Sequence, residues 1–179
     1  MSTIIQRPFP SRVETSEPGL PDEADRVIRC LPQGICSWNY WLNHNGKQDA
    51  VIMNCGFRGS GKLIIEGSTL DMKKRGFFQT SWQVQYEGQE LMSASRPNIL
   101  SSQTTVEDPY GEWTLRRISC FQRAMSVSQN ELTFATIRPD HCFTRRATIE
   151  VLRPEIQYPT LVFCFWLAAH GWMADSQSG

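Results

Sequence analysis

A glycine-rich segment over residues 56–62 has the spacing of a phosphate-binding loop. It reads Gly-Phe-Arg-Gly-Ser-Gly-Lys and fits GxxxxGK, in which backbone amides cradle phosphates and the lysine reaches them. In such a loop a Ser or Thr follows the lysine, and a helix begins there because its N-terminus binds the phosphates. Here Leu63 follows Lys62, and residues 63–66 have the composition of a strand. We therefore interpret the segment as a connection between strands rather than a nucleotide site.

A basic run at residues 73–75 is the clearest candidate for binding an anionic ligand. Clustered cations attract phosphate headgroups, and the nearby rings of Phe77 and Phe78 would suit a membrane interface. The alternative interpretation is a solvated strand edge, where lysines discourage pairing with another sheet. The candidate ligand-binding residues are Lys73, Lys74, Arg75, Arg116 and Arg117. Further cations would join this surface only if the fold brings them close to it: Arg123, Arg145 and Arg146.

The sequence offers little for catalysis or metal binding. His141 and Cys142 are an adjacent base and nucleophile, but neighbours in an extended chain point to opposite faces, which argues against a dyad. The histidines at 44, 141 and 170 have no zinc-like spacing with the cysteines. We therefore expect no catalytic residue, no metal site and no cofactor.

Composition limits the classes of protein and partner. A chain of 179 residues with 40% hydrophobic content fits one domain with its own core. Lys+Arg 18 against Asp+Glu 18 gives a net charge of zero, so nucleic acid is not an expected partner. The six cysteines contain no CxxC pair, which predicts reduced thiols in a cytoplasmic protein, with peripheral membrane association as an option.

From residue 26 onward, short β-branched and aromatic runs alternate with turn signals. The clearest alternation is Gln79–Tyr86, and a second over Phe143–Leu152 places four residues on one face: Phe143, Ala147, Ile149 and Val151. About ten strands spaced by roughly 8–12 residues favour an antiparallel meander that curls into a barrel or a sandwich. We predict a mainly β fold, a barrel of roughly 10–12 strands.

The segment Thr160–Met173 is apolar on nearly all sides, so as a helix it must be enclosed. A bilayer-spanning helix needs roughly twenty apolar residues, and shorter runs are more often core, although a membrane anchor stays an alternative. A helix over about 157–173 that passes through the barrel would be buried on all sides. Closure of the sheet into that barrel would also leave no free strand edges. The domain is then 25–174, between a disordered proline-rich tail at 1–24 and a disordered end at 175–179.

The order of these elements resembles the tubby C-terminal-like superfamily, which includes tubby domains, LURP-one-related proteins and phospholipid scramblase-like proteins. The resemblance covers about residues 26–174 and rests on the meander, the strand over 144–151 and the apolar terminal helix. It implies a twelve-stranded barrel around a central helix, with phosphoinositide or membrane-surface binding and no established common enzymatic activity. Because this chain is much shorter than tubby itself, the resemblance assigns no ligand-contacting residue here.

Two classes of function follow. The first is a non-enzymatic module that binds an anionic lipid, phosphoinositide-like, or a protein partner through a basic face of the barrel. The second is an isomerase or cyclase that folds an apolar small molecule inside an aromatic-lined cavity. The second draws on the tryptophans, which are most simply explained by packing: Trp38, Trp41, Trp82, Trp113, Trp166 and Trp172.

Overall fold

The protein is described by a computed structural model. It describes residues 26–35, 37–54, 59–75, 80–97, 101–119, 123–141 and 144–176. The predicted tail at 1–24 and residues 56–58 of the GxxxxGK segment lie outside these ranges. The strands are β1 (Val27–Pro32), β2 (Tyr40–His44), β3 (Lys47–Asn54), β4 (Gly61–Ile65), β5 (Ser68–Arg75), β6 (Thr80–Tyr86), β7 (Gln89–Arg96), β8 (Gln103–Asp108), β9 (Gly111–Arg117), β10 (Met125–Gln129), β11 (Leu132–Pro139) and β12 (Ala147–Val151), and the helix α1 is Tyr158–Asp175.

The strands form one closed antiparallel barrel in which each strand pairs with its neighbours in sequence. The barrel closes between the first and last strands, where Ile28 is opposite Ile149 and Cys30 is opposite Ala147. Closure of this kind leaves no free edge for pairing with another sheet. The prediction of a mainly β barrel around one C-terminal helix is confirmed, and the sandwich is excluded.

Tight turns join the strands at one end of the barrel. Asn45-Gly46, Glu66-Gly67 and Glu87-Gly88 each place two consecutive residues at positive φ, between 49° and 83°. Two such residues define the type I′ turn, whose twist matches that of the flanking strands. Asn130-Glu131 does the same, with φ values of 49° and 66°. The residue types of Gln129-Asn130 predict this turn one residue earlier, which is wrong because Gln129 still pairs with Leu132.

The helix α1 fills the barrel. Residues 160–169 are all buried, as predicted for a helix without a polar face. The Tyr40 ring packs edge-on against Phe165 at 5.0 Å between centroids, and Trp82 packs edge-on against Trp166 at 6.4 Å. Within the described residues, no helix combines the length and the apolar character that crossing a membrane requires. The alternative of α1 as a spanning anchor is therefore not supported.

Several predicted boundaries need correction. The alternation of residues 35–42 predicts a strand over that range, but β2 begins only at Tyr40, because the Ser37 hydroxyl accepts a hydrogen bond from the Asn39 amide in a loop. Similarly, β12 begins at Ala147 rather than residue 143. The helix continues to Asp175, two residues beyond the predicted end, and Ser176 Oγ then donates to the Met173 carbonyl at 2.8 Å.

Candidate functional site

The topology assigns every connection to one of two barrel ends. In an antiparallel meander successive connections alternate between the ends, so the four type I′ turns share one end. The helix begins there, where Thr160 Oγ1 donates to Asp108 Oδ2 at 2.5 Å. The helix ends at the opposite mouth, where Trp172 Nε1 donates to the Arg123 carbonyl at 2.8 Å.

Charge is sorted between these two ends although the chain as a whole is neutral. The end where the helix begins, called here the acidic end, carries Asp49, Glu66, Glu87, Glu90, Glu107, Asp108, Glu112, Glu131, Glu150 and Glu155, with the cations Arg26, Arg29, Lys47 and Arg153. The end where the helix finishes, called the basic end, carries Lys62, Lys73, Lys74, Arg75, Arg96, Arg116, Arg117, Arg123, Arg138, Arg145 and Arg146, with the acids Asp71, Asp140 and Asp175. The two sets meet between β11 and β12, where Arg138 of the basic end forms an ion pair with Glu150 of the acidic end at 3.4 Å.

The predicted basic run closes β5 at the basic end. Lys73 and Arg75 are exposed, and Lys73 Nζ donates to Gln85 Oε1 at 3.0 Å across to β6. Lys74 lies opposite the buried Trp82 in the strand register, at the mouth of the barrel. The run therefore sends its side chains both outward and over the mouth, as expected for consecutive strand residues. Phe77 and Phe78 lie outside the described residues.

The second predicted pair, Arg116 and Arg117, closes β9 at the same end. Arg116 is exposed, while Arg117 faces the mouth and forms an ion pair with Asp175 of the helix. Four strand spacings of about 4.8 Å separate β5 from β9 along the sheet, which is about 19 Å. The fold thus brings the five candidate residues to one end, as two separate groups.

Arg96, which the sequence reasoning missed, lies between these two groups at the end of β7. Its Nε donates to Thr104 Oγ1 at 3.2 Å, and its guanidinium carbon is 5.9 Å from the centroid of the Trp82 ring. Burial lowers the pKa of Arg96, Arg117 lowers it further, and Asp175 opposes the shift. The two arginines are therefore close enough to interact across the mouth.

His170 lies inside this mouth on the last turns of the helix. Its ring centroid is 5.4 Å from that of Trp166 and 6.0 Å from that of Trp82. Burial, followed by the charges of Lys74 and Arg96, lowers the pKa of His170 to about 4. The imidazole is therefore neutral near pH 7. Its Nε2 is buried, with no hydrogen-bond partner among the described residues.

A cavity of about 420 Å³ opens at the basic end between the ends of β7, β8 and β9 and the C-terminal turns of α1. Cations and hydroxyl groups line one part of it, and apolar side chains line another. Its lining residues are Arg96, Ser101, Ser102, Thr104, Leu115, Arg117, Met125, Gly171, Ala174 and Asp175. The mixture suits an anionic ligand with polar substituents.

A second cavity, of about 270 Å³, lies at the acidic end beside the first turn of α1. Ile65, Met92 and Pro159 supply apolar walls, and Glu66 and Asp108 are the carboxylates beside it. Asp108 is held in place by four donors, so we assign it a structural role. No tryptophan is among the described residues that line either cavity.

The other sequence candidates have structural roles or lie outside the described residues. Lys62 is in β4 opposite Asp71, so a strand follows the GxxxxGK segment, as predicted. Cys30 and Cys164 are free and buried, and burial raises the pKa of both thiols. Cys142 is not described. Within the described ranges, no cluster of His, Cys, Asp and Glu is suited to a metal ion.

Comparison with known proteins gives no relative. No protein-family model matches the chain, and no curated protein or solved structure matches it at a significant level. The twelve-stranded, helix-filled barrel is the architecture that the resemblance to the tubby C-terminal-like superfamily implies. Membership in that superfamily stays a prediction.

Proposed function

We propose that the protein is a non-enzymatic module that docks its basic end on a membrane surface carrying anionic, phosphoinositide-like headgroups. The observation that supports this most is the sorting of charge along the barrel of a chain with no net charge. A neutral protein has no general attraction to polyanions, but a cationic end orients it toward an anionic surface.

Apolar side chains at the same end add a second attraction. Ile35, between β1 and β2, is 98% exposed, and Ile118, just after β9, is 51% exposed. Single exposed apolar residues are common on protein surfaces, so these two alone carry no argument. Their position beside the cations supports docking, because basic residues bring the surface close and apolar side chains then enter the interface.

The enzymatic alternative gains less support. An isomerase or cyclase would need an open apolar interior, whereas the side chains of Phe163, Phe165 and Trp166 occupy the centre of the barrel and are fully buried. The buried tryptophans pack against neighbouring rings, as in the pair of Trp82 and Trp166. The resemblance stated above also favours membrane-surface binding over catalysis.

Vesicle sedimentation tests the proposal. The wild type is mixed with phosphatidylcholine vesicles, with and without a phosphoinositide, and compared with Lys73→Glu/Lys74→Glu. Each lysine near an anionic surface contributes about 1 kcal/mol, so reversing two is expected to weaken phosphoinositide-dependent binding at least about 30-fold. Rising salt is expected to weaken wild-type binding as well.

The matched control is Arg29→Glu/Lys47→Glu, which changes the net charge equally but outside the basic end. Both residues are exposed in strands, Arg29 in β1 and Lys47 in β3. We expect this variant to keep binding close to that of the wild type. The proposal fails if the wild type does not sediment with phosphoinositide vesicles, or if both double variants lose binding to the same extent.

A further inference from the structure

The basic-end cavity collects the groups that recognise a phosphate monoester. Arg96 and Arg117 supply two guanidinium groups, which bind phosphate oxygens through paired N–H donors. Ser102 and Thr104 supply hydroxyl groups on the adjoining wall, where the Ser101 hydroxyl already donates to the Gln103 carbonyl at 3.0 Å. The volume of about 420 Å³ is larger than a bare phosphate needs and is in the range of small-molecule sites.

The guanidinium of Arg96 is held in place before any ligand arrives. Its Nε donates to Thr104 Oγ1 at 3.2 Å, its guanidinium carbon is 5.9 Å from the centroid of the Trp82 ring, and the residue is half-buried. A cation fixed in this way loses little conformational freedom on binding, which favours recognition of an anion. Leu115 and Met125 form an apolar wall of the cavity, which limits the access of water to the Arg96 guanidinium.

The second guanidinium, that of Arg117, is already paired with an anion of the chain itself. Asp175, the last residue of α1, accepts a hydrogen bond from Arg117 Nη2 and lines the cavity. A carboxylate at the C-terminal end of a helix is disfavoured by the helix dipole, and the last turn of α1 has no basic residue to offset it. The contact with Arg117 therefore keeps Asp175 in an otherwise unfavourable position.

We infer that this cavity binds one phosphate monoester on a small polyol, and that Asp175 is the internal competitor that the phosphate displaces from Arg117. The ligand takes over the hydrogen bonds that the carboxylate makes, and the two like charges cannot share the site. The inference rests on the proposed function for the source of the phosphate, a lipid headgroup at the docked surface. A soluble sugar or inositol phosphate carries the same chemistry.

Calorimetric titration of the full chain with inositol 1,4,5-trisphosphate tests the inference. Asp175→Asn removes the competing charge, so we expect it to bind at least about tenfold more tightly than the wild type. Arg117→Gln is expected to weaken binding at least about tenfold. Because a gain of affinity does not arise from misfolding, Asp175→Asn stays informative even if Arg117→Gln unfolds.

The matched control is Asp140→Asn, which removes one carboxylate from the same end outside the cavity. Asp140 is exposed, and its Oδ1 accepts a hydrogen bond from Thr148 Oγ1 at 2.7 Å. If Asp175→Asn binds no more tightly than Asp140→Asn, the effect is general electrostatics and the inference is overturned. It is also overturned if neither the wild type nor Asp175→Asn binds the trisphosphate.

The two proposals fail separately. Vesicle binding that depends on residues 73 and 74, together with no gain from Asp175→Asn, would overturn the cavity site and leave membrane docking intact. A gain from Asp175→Asn without wild-type vesicle binding would support the cavity site for a soluble phosphate and overturn membrane docking. The second outcome would identify the ligand's source as solution rather than lipid.

Discussion

Asp108 joins the barrel to the helix, and its replacement is expected to lower the free energy of unfolding substantially. Its Oδ1 accepts hydrogen bonds from the amides of Tyr110 at 2.8 Å and Gly111 at 2.9 Å, within the turn after β8. Its Oδ2 accepts from Trp113 Nε1 at 3.0 Å and from Thr160 Oγ1 at 2.5 Å. One carboxylate thus fixes the turn, a core side chain and the start of α1.

The magnitude follows from which donors water can reach after Asp108→Ala. The turn is exposed, so water can replace the carboxylate at the two amides at little cost. Trp113 and Thr160 are only 2% and 1% exposed, so the Trp113 indole would be left without an acceptor and the Thr160 hydroxyl with only the weak acceptor Met92 Sδ at 3.9 Å. Each stranded donor costs about 1–3 kcal/mol, which gives a loss of roughly 4 kcal/mol in the free energy of unfolding. For a chain of this size the melting temperature should fall by about 8–16 °C.

Urea denaturation followed by tryptophan fluorescence measures this loss. Asp108→Asn should cost a similar amount, roughly 4 kcal/mol, because the amide nitrogen replaces Oδ2, which is the acceptor of both buried donors. The control Glu107→Ala removes the neighbouring exposed carboxylate and should change stability by less than about 0.5 kcal/mol. A loss below about 1 kcal/mol for Asp108→Ala, or one equal to that of the control, would refute the reasoning.

Two further predictions follow from buried titratable groups. The pKa of His170 is about 4 in the folded chain and near 6.5 in the unfolded chain, so the unfolded chain binds the proton first as the pH falls. The contribution of His170 to the free energy of unfolding should therefore fall by about 2–3 kcal/mol between pH 6.5 and pH 4, and no further below pH 4. Urea denaturation across this pH range should show the loss in the wild type and in the exposed control His141→Gln, but not in His170→Gln. An equal dependence of stability on pH in all three proteins would contradict the prediction. Because burial raises the pKa of the Cys30 and Cys164 thiols, iodoacetamide should leave both unmodified until urea unfolds the chain. Mass spectrometry that finds either one alkylated in the folded protein at the rate of a free thiol would count against the packed core.

The sequence predicts the architecture well because alternation and turn chemistry are local signals. Glu87-Gly88 between two alternating runs specifies a hairpin, and the structure has that turn at positive φ. The helix was recognisable because a segment apolar on all sides can be satisfied only by enclosure. Strand ends were less predictable: residue 35 has strand composition but lies in a loop, where hydrogen bonds around Ser37 and Asn39 decide the conformation.

The candidate site could be predicted only in part. The basic run at 73–75 is visible as a cluster in the sequence, whereas Arg96 is a single cation in an ordinary strand. One signal was present: Arg96 follows Met92 and Ala94 on the inward face and comes last in its strand, so its side chain must lie at a mouth of the barrel. The pairing of Arg117 with Asp175 joins residues far apart in sequence, and no local pattern predicts it.

The orientation of the barrel on a membrane tests the central proposal most directly. Hydrogen exchange with mass spectrometry, compared between the free protein and the protein on phosphoinositide vesicles, reports which end is covered. We predict new protection at the basic-end connections, residues 33–35, 37–39, 101–102, 118–119 and 123–124, and unchanged exchange at the acidic-end turns, residues 45–46, 66–67, 87–88 and 130–131. Protection of the acidic-end turns, or bound protein with no protected connection at the basic end, would contradict the proposal.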